Sequence, residues 1–275
     1  MADRADQTVL TTGANSGIGL ATALEVARKG FRSVGSVRSA EKADVVDAAA
    51  DKAGLDVATV ILDVTDADRC AEVINELRPW GLVNNAGFGG LGAIEDVDDD
   101  EARLLLETMV VGPMRLARLA ARHMRAGGSG RIVNMSSIFG LTTPPLAGWY
   151  AAAKHALEAL TDALRMELAA AGIRAVLVEP GGIRTEIWRD VGGEQETRVG
   201  SAYARAYQRS ATRLRLTEAF MGRPRQVARV VGVALTARHP SDRYLVGVDA
   251  HALSWAQRLT PVPVRDRVSR LGLGL

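Results

Sequence analysis

Short apolar runs and longer amphipathic stretches take turns along this chain from end to end. Thr8-Val9-Leu10-Thr11-Thr12 reads as a strand, and 20–29 reads as a helix with an apolar stripe at helical spacing. Further strands are expected at 33–37, in a run closed by Leu62-Asp63-Val64, at Leu82-Val83, and over 131–137, 175–178 and 243–246. Helices are expected between and after them, over 40–53, 67–78, 101–125, 150–171 and 225–236. Such alternation with short connections predicts an α/β fold, a parallel sheet covered by helices on both faces. No Pro/Ser-rich linker, low-complexity tract or solenoid period interrupts it, so 1–275 is read as one domain. In such sheets ligands bind beyond the carboxyl ends of the strands. Gly13, Asn84, Ser137 and Pro180 all fall at such ends, which points to a single cleft.

Composition narrows the field. Hydrophobic residues make up 47% and charged residues 24% of the chain, and Lys+Arg 34 stand against Asp+Glu 32. A net charge of +2 gives no reason to expect a nucleic-acid partner. Cys70 is the only cysteine, which rules out an internal disulfide and a cysteine-built metal site. The four histidines, at 123, 155, 239 and 251, are not at ligand spacing, so no metal is expected. No apolar run approaches the ~20 residues of a membrane span, and the first six residues lack a signal peptide's apolar core. A cytoplasmic protein is expected.

Two motifs carry chemistry. Gly13-Ala14-Asn15-Ser16-Gly17-Ile18-Gly19 links the first strand to the first helix. A glycine-rich turn there lets backbone N–H groups approach a pyrophosphate on the positive end of the helix dipole. Tyr150-Ala151-Ala152-Ala153-Lys154 places a phenol and an ammonium at i and i+4, on one helical face. A positive charge close by favours the phenolate, so Lys154 is expected to lower the Tyr150 pKa and ready it for proton transfer.

With Asn84-Asn85-Ala86-Gly87, Ser136-Ser137 and Pro180-Gly181-Gly182-Ile183-Arg184-Thr185 in fixed order, the chain resembles the short-chain dehydrogenase/reductase family from about 8 to 185. That resemblance implies a three-layer Rossmann-type, doubly wound parallel sheet and a nicotinamide cofactor. Ser137, thirteen positions before Tyr150, matches the family's catalytic serine, and Ser136 does not. By resemblance, Ser137 orients the substrate oxygen, Tyr150 exchanges its proton, and Lys154 holds the nicotinamide ribose. Asn15, Ser16 and the glycine turn would take the pyrophosphate. Asp63 and Val64 would meet the adenine, Asn85, Ala86 and Gly87 would pack along the cofactor, and Pro180, Gly181, Ile183 and Thr185 would reach the carboxamide end. Phe139 and Trp149 lie where the family's substrate wall runs. Related enzymes pair through the two helices expected at 101–125 and 150–171, so a homodimer or homotetramer is expected.

One position departs from the family pattern. Many members carry an asparagine three residues before a glycine in the fifth helix, where it holds a relay water. Here that place is Met109, in Met109-Val110-Val111-Gly112. A thioether is a weak acceptor and cannot replace the amide. Water could reach Lys154 by another route, turnover could be slow, or the protein could bind cofactor without turnover.

The remaining features read as follows. The second strand ends at Val37 with no acid, and Arg38-Ser39 follow. An acid there would bind both ribose hydroxyls, whereas Arg38, with Ser39 as a further donor, suits a 2′-phosphate, so NADP is the expected cofactor. The other reading of Arg38 is a solvated loop residue. The stretch 186–222 is expected to form a lid, in which Tyr203, Tyr207, Ala211 and Leu214 recur at helical spacing; either this stripe packs on the body, or it covers a lipophilic substrate. Arg115, Arg118, Arg122 and Arg125 read as a solvated helix face, and Asp96, Asp98, Asp99 and Asp100 as acids capping a helix. The C-terminal extension, 248–275, ends in Arg265, Arg267 and Arg270, expected as a solvated tail. These features together predict an NADP-dependent oxidoreductase acting on an alcohol/carbonyl pair, closest in look to hydroxysteroid and retinol dehydrogenases. The alternative is a non-catalytic dinucleotide-binding sensor or assembly protein.

Overall fold

Neighbouring residues on the central strands bury on opposite faces of one sheet. Leu10, Leu82 and Ile132 pack with one helical layer, while Val9, Val83 and Val133 pack with the other. That is the period-two pattern of a sheet covered on both sides. The computed structural model describes residues 3–185, 198 and 200–275. Among these, β1 (Thr8–Thr11), β2 (Arg32–Val37), β3 (Val57–Ile61), β4 (Gly81–Asn84), β5 (Gly130–Met135), β6 (Ile173–Pro180) and β7 (Arg243–Val246) form one parallel sheet. Its order is β3-β2-β1-β4-β5-β6-β7, so the winding reverses between β1 and β4, as the doubly wound expectation requires.

The helices are α1 (Gly17–Arg28), α2 (Ala40–Ala53), α3 (Ala67–Leu77), α4 (Asp99–Leu106), α5 (Gly112–Ala126), α6 (Gly148–Leu168), α7 (Ala204–Thr217), α8 (Pro224–Thr236), α9 (Val248–Leu259) and α10 (Val262–Leu273). One core layer joins Cys70, Val73 and Ile74 of α3 to Leu116, Ala117 and Ala120 of α5. The opposite layer joins Val26 of α1 to Val227 and Val231 of α8.

Three boundaries differ from the sequence reading. The third strand stops at Ile61, and Leu62, Asp63 and Val64 lie beyond it, although the Leu62 amide still donates to Val37 O at 2.8 Å. The single helix expected over 101–125 is α4 and α5 joined by a π-turn at Glu107–Val111. Pro113 explains the break: it has no N–H for the Met109 carbonyl four residues back, and its ring crowds that carbonyl. Gly112 lets the widened turn approach the loop after β3, where a Cβ would meet Val64 O at 2.9 Å. Finally, the helix expected over 150–171 begins at Gly148 and tightens into a 3₁₀ turn at Ala169–Ala171.

Two expected surface features are structural ties instead. Arg115 is half-buried, donates to Val64 O at 2.8 Å, and pairs with Glu107 at 2.5 Å, bracing the π-turn; Arg118, Arg122 and Arg125 are exposed, as expected. Asp98 does cap α4, accepting from the amides of Asp100 and Glu101. Asp96 instead accepts from Tyr207 Oη and Ser201 Oγ, both at 2.7 Å. Of the expected lid, 186–197 and Val199 lie outside the described residues. The rest includes α7, whose Tyr207 and Ala206 are buried against Ala93, Leu146 and Leu273. Its apolar stripe therefore packs on the body of the protein.

Candidate active site

The turn after β1 and the turn after β4 are tied together before any ligand is considered. Thr12 Oγ1 accepts from the amides of Asn85 and Ala86, each at 2.9 Å, and Asn85 Nδ2 donates to Thr12 O at 3.0 Å and Gly13 O at 3.3 Å. The glycines are required by this closeness. Gly13 (φ +66°) and Gly17 (φ +52°) occupy the left-handed region, and a Cβ on Gly19 would collide with Gly13 O. The amides of the first turn of α1 thus face an open cradle, which fits a pyrophosphate.

A cavity of about 530 Å³ opens over this cradle at the carboxyl ends of the strands. Residues 13 and 15–19, Arg38, Asp63, Val64, 85–87, Ser137, Tyr150, Lys154, Pro180, Gly181, Ile183 and Thr185 all line it. Ser39, Phe139 and Trp149 are not among the lining residues. Ser39 precedes α2 and its hydroxyl donates to the Glu41 carboxylate, holding that group below the usual carboxylate range. Phe139 meets Tyr150 edge-on at 6.0 Å, and Trp149 packs with Leu105, Met109 and Val110, so both buttress the wall from behind.

The cavity also takes in residues the sequence reading missed. Lys42, in the first turn of α2, lines it with Arg38, and Phe88 and Leu104 line it too, Phe88 packing with Met109. Asp249 on α9 was unreadable from sequence: its carboxylate accepts from the Gly182 amide at 2.5 Å and fits only because Gly181 has no Cβ. It holds the Pro180-Gly181-Gly182 turn from 67 residues away.

Burial dominates the electrostatics at the Tyr150–Lys154 pair. Lys154 Nζ donates to Met135 O at 2.9 Å and lies 5.6 Å from the Tyr150 ring centroid. The expected lowering of the phenol is not seen. Desolvation pushes Tyr150 up to about 12, with a hydrogen bond to Ser137 acting in the opposite direction. Desolvation likewise brings Lys154 down to about 8, against the pull of the Glu158 carboxylate one turn on. Glu158 itself is raised to about 7 by burial and by the Glu179 carboxylate, and Ser136 and Arg243 act against that rise. Arg243 is shared among Glu158, Glu179 and Asp162, the last of which also pairs with Arg165 at 3.2 Å. Asp63 is lowered: burial opposes this, but Thr65 donates its amide (2.9 Å) and hydroxyl (2.7 Å), and Arg38 adds a positive charge.

A family model described as short chain dehydrogenase matches residues 7–196. The chain belongs to that family. The NADPH-dependent 3-dehydrocapnine reductase of Ornithobacterium rhinotracheale is 32% identical, over 94% of each chain. Human retinol dehydrogenase 5 is 29% identical over 94% of this chain and 86% of its own. The solved structure of a short-chain dehydrogenase from Streptomyces avermitilis is 30% identical, covers 96% of this chain and 95% of its own, and superposes with a TM-score of 0.78. This short-chain dehydrogenase is thus an oxidoreductase with a Rossmann-type dinucleotide fold. Among its described residues no cluster of three side chains could hold a metal ion, and no helix is long and apolar enough to cross a membrane.

Met109 is the place where this dehydrogenase departs from its family's pattern. The residue is 1% exposed, within the π-turn and against Gly87. An asparagine there would exchange apolar packing for a buried amide. Met109→Asn is therefore expected to lose about 1–3 kcal/mol of stability, read by chemical denaturation, unless the amide finds partners. Undiminished stability would mean that a hydrogen-bonding site, such as a relay water, awaits it.

Proposed function

We propose that this dehydrogenase interconverts an alcohol and a ketone or aldehyde with NADP(H), using Ser137, Tyr150 and Lys154. The observation that carries this reading is the meeting of the three side chains in one cavity with the glycine cradle. The bound nicotinamide supplies or accepts the hydride. Ser137 Oγ donates to the substrate oxygen and orients it. In reduction the Tyr150 phenol gives its proton to that oxygen, and a phenol held at about 12 is fully protonated at neutral pH. The Lys154 ammonium stabilises the tyrosinate left behind. Phe88, Leu104 and Met109 add apolar surface to the cavity, which favours a lipophilic alcohol or carbonyl.

Tyr150→Phe should reduce turnover by about three orders of magnitude or more, with cofactor affinity nearly unchanged, because the phenol acts mainly in the transition state. In carbonyl reduction kcat/KM should be flat at neutral pH and fall as pH rises through about 8, where Lys154 loses its proton. Lys154→Arg should carry that limb beyond pH ~10, since a guanidinium stays charged. If kcat/KM of the unmodified enzyme rose through pH 8, the assignment would fail; a limb near 7 that survives Lys154→Arg would belong to Glu158. A broad panel of ketones and alcohols giving binding without turnover would favour the non-catalytic reading.

NADP(H) is the proposed cofactor because Arg38 and Lys42 both face the adenine end and no acid stands at Val37. The NADPH dependence in the name of the 3-dehydrocapnine reductase supports the same choice. Calorimetry should give NADP(H) at least about tenfold tighter binding than NAD(H), roughly 1.4 kcal/mol. Arg38→Ala with Lys42→Ala should remove most of the difference, Val37→Asp should turn it towards NAD(H), and salt should weaken it. Equal affinities in the unmodified protein would sink this choice.

Self-association through α5 and α6 is the remaining proposal. Val111 at the end of the π-turn and Leu160 and Met166 on α6 are 44%, 41% and 67% exposed, and small Ala152 and Ala159 are exposed between them. A dimer is expected in sedimentation velocity at micromolar concentration, and a stable monomer there would dismiss it.

A further inference from the structure

Charge is distributed very unevenly along this chain. Residues 200–275 contain 13 arginines, no lysine and four acids, a net of +9. The preceding 199 residues hold the other 21 basic and 28 acidic side chains, a net of −7. Arg267 and Arg270 are solvated as expected, but the segment that carries them is helical: it forms two consecutive amphipathic helices, α9 and α10.

Both helices are turned the unusual way. α9 buries Ala250 and Ser254, and its opposite face carries Val248, Ala252, Trp255 and Leu259 at i, i+4, i+7 and i+11. Val248, Trp255 and Leu259 are 88%, 62% and 75% exposed. α10 buries Leu273 and presents Val264, Val268 and Leu271 at i, i+4 and i+7, exposed by 49%, 65% and 69%. An apolar stripe that faces water on a folded chain marks an interaction surface. Arg258 adjoins the first stripe and Arg267 and Arg270 the second, all exposed. The two helices hold four arginines against two acids: Asp249 is drawn away to the Gly182 amide, and Asp266 is exposed between Arg265 and Arg267.

We propose that α9 and α10 dock this protein onto an anionic lipid surface, lying in the interface plane with apolar stripes at the acyl boundary and arginines among the headgroups. At ~18 Å each helix is too short to span a bilayer, but the length suits an interfacial helix. Charge selects this occupant. A symmetric contact with a second copy would set the arginine-rich face against itself. A nucleic acid would satisfy the arginines and leave the valine, leucine and tryptophan stripes without a partner. The inference does not rest on the proposed reaction.

The test is co-sedimentation of the full chain with vesicles of phosphatidylcholine alone and of phosphatidylcholine mixed with phosphatidylglycerol. Binding is expected to the anionic vesicles, at least about tenfold weaker to the zwitterionic ones, and weakened by salt. Trp255→Ser with Leu271→Ser should reduce it about tenfold or more at unchanged melting temperature, since both side chains point to solvent. Arg267→Glu with Arg270→Glu should do the same. Tryptophan emission should shift to the blue on binding, and the shift should be absent in Trp255→Phe. No binding to either vesicle would overturn the proposal. So would anionic binding indifferent to the apolar substitutions, or a change of oligomeric state on Trp255→Ser, which would assign the stripe to a second copy.

Discussion

Everything at the catalytic end of this molecule depends on how closely two backbone turns approach each other. Thr12 and Asn85 exchange hydrogen bonds in both directions across the ends of β1 and β4, and Gly19 presses against Gly13 O with no room for a methyl group. The tie holds the start of α1, and so the positive end of its dipole, beside the chain that leads from β4 to the π-turn. A looser approach would leave these buried polar groups unpaired, each at a cost of about 1–3 kcal/mol. The same closeness keeps the cradle open, because nothing but glycine lines its tightest points.

A second constraint acts at the reacting pair. Sequence spacing puts an ammonium next to a phenol, and Coulomb attraction alone would lower the phenol's pKa. Burial outweighs what opposes it, the Ser137 hydrogen bond at the phenol and the Glu158 carboxylate at the ammonium. Both groups move toward their neutral forms, the phenol up and the ammonium down, because each loses hydration that the other does not replace. The consequence suits the reduction proposed above, in which the phenol begins protonated. Behind the pair, Arg243 is shared among Glu158, Glu179 and Asp162, and Arg165 also holds Asp162.

Distant segments supply the rest of the order. Asp249 fixes the turn after β6, and Asp96 with Tyr207 seats α7 on the body. Leu146, just before the helix that carries Tyr150, is held at φ 65°. That conformation costs a non-glycine residue roughly 1 kcal/mol, and burial against Tyr207, Ala206 and Leu273 keeps it in place. Residues of α7 and α10 therefore brace the stretch that leads into the helix carrying Tyr150.

The sheet, its helices and most of the cavity were legible because they rest on local periodicity and on motifs whose residues sit at strand ends. Glycine spacing announced the cradle, and the i, i+4 rule announced the Tyr150–Lys154 face. Even the break in the long helix was available in Gly112-Pro113. By itself, then, the sequence determined the family and the parallel architecture and named most of the residues that line the cavity. Only the tertiary structure decided the direction of the Tyr150 shift, the turning of Ser39 toward Glu41, the work of Arg115, Asp96 and Asp249, and the outward face of the last two helices. The reason is physical. Desolvation and hydrogen bonding between residues far apart in sequence depend on what surrounds a group in three dimensions, and no spacing along the chain encodes that surrounding.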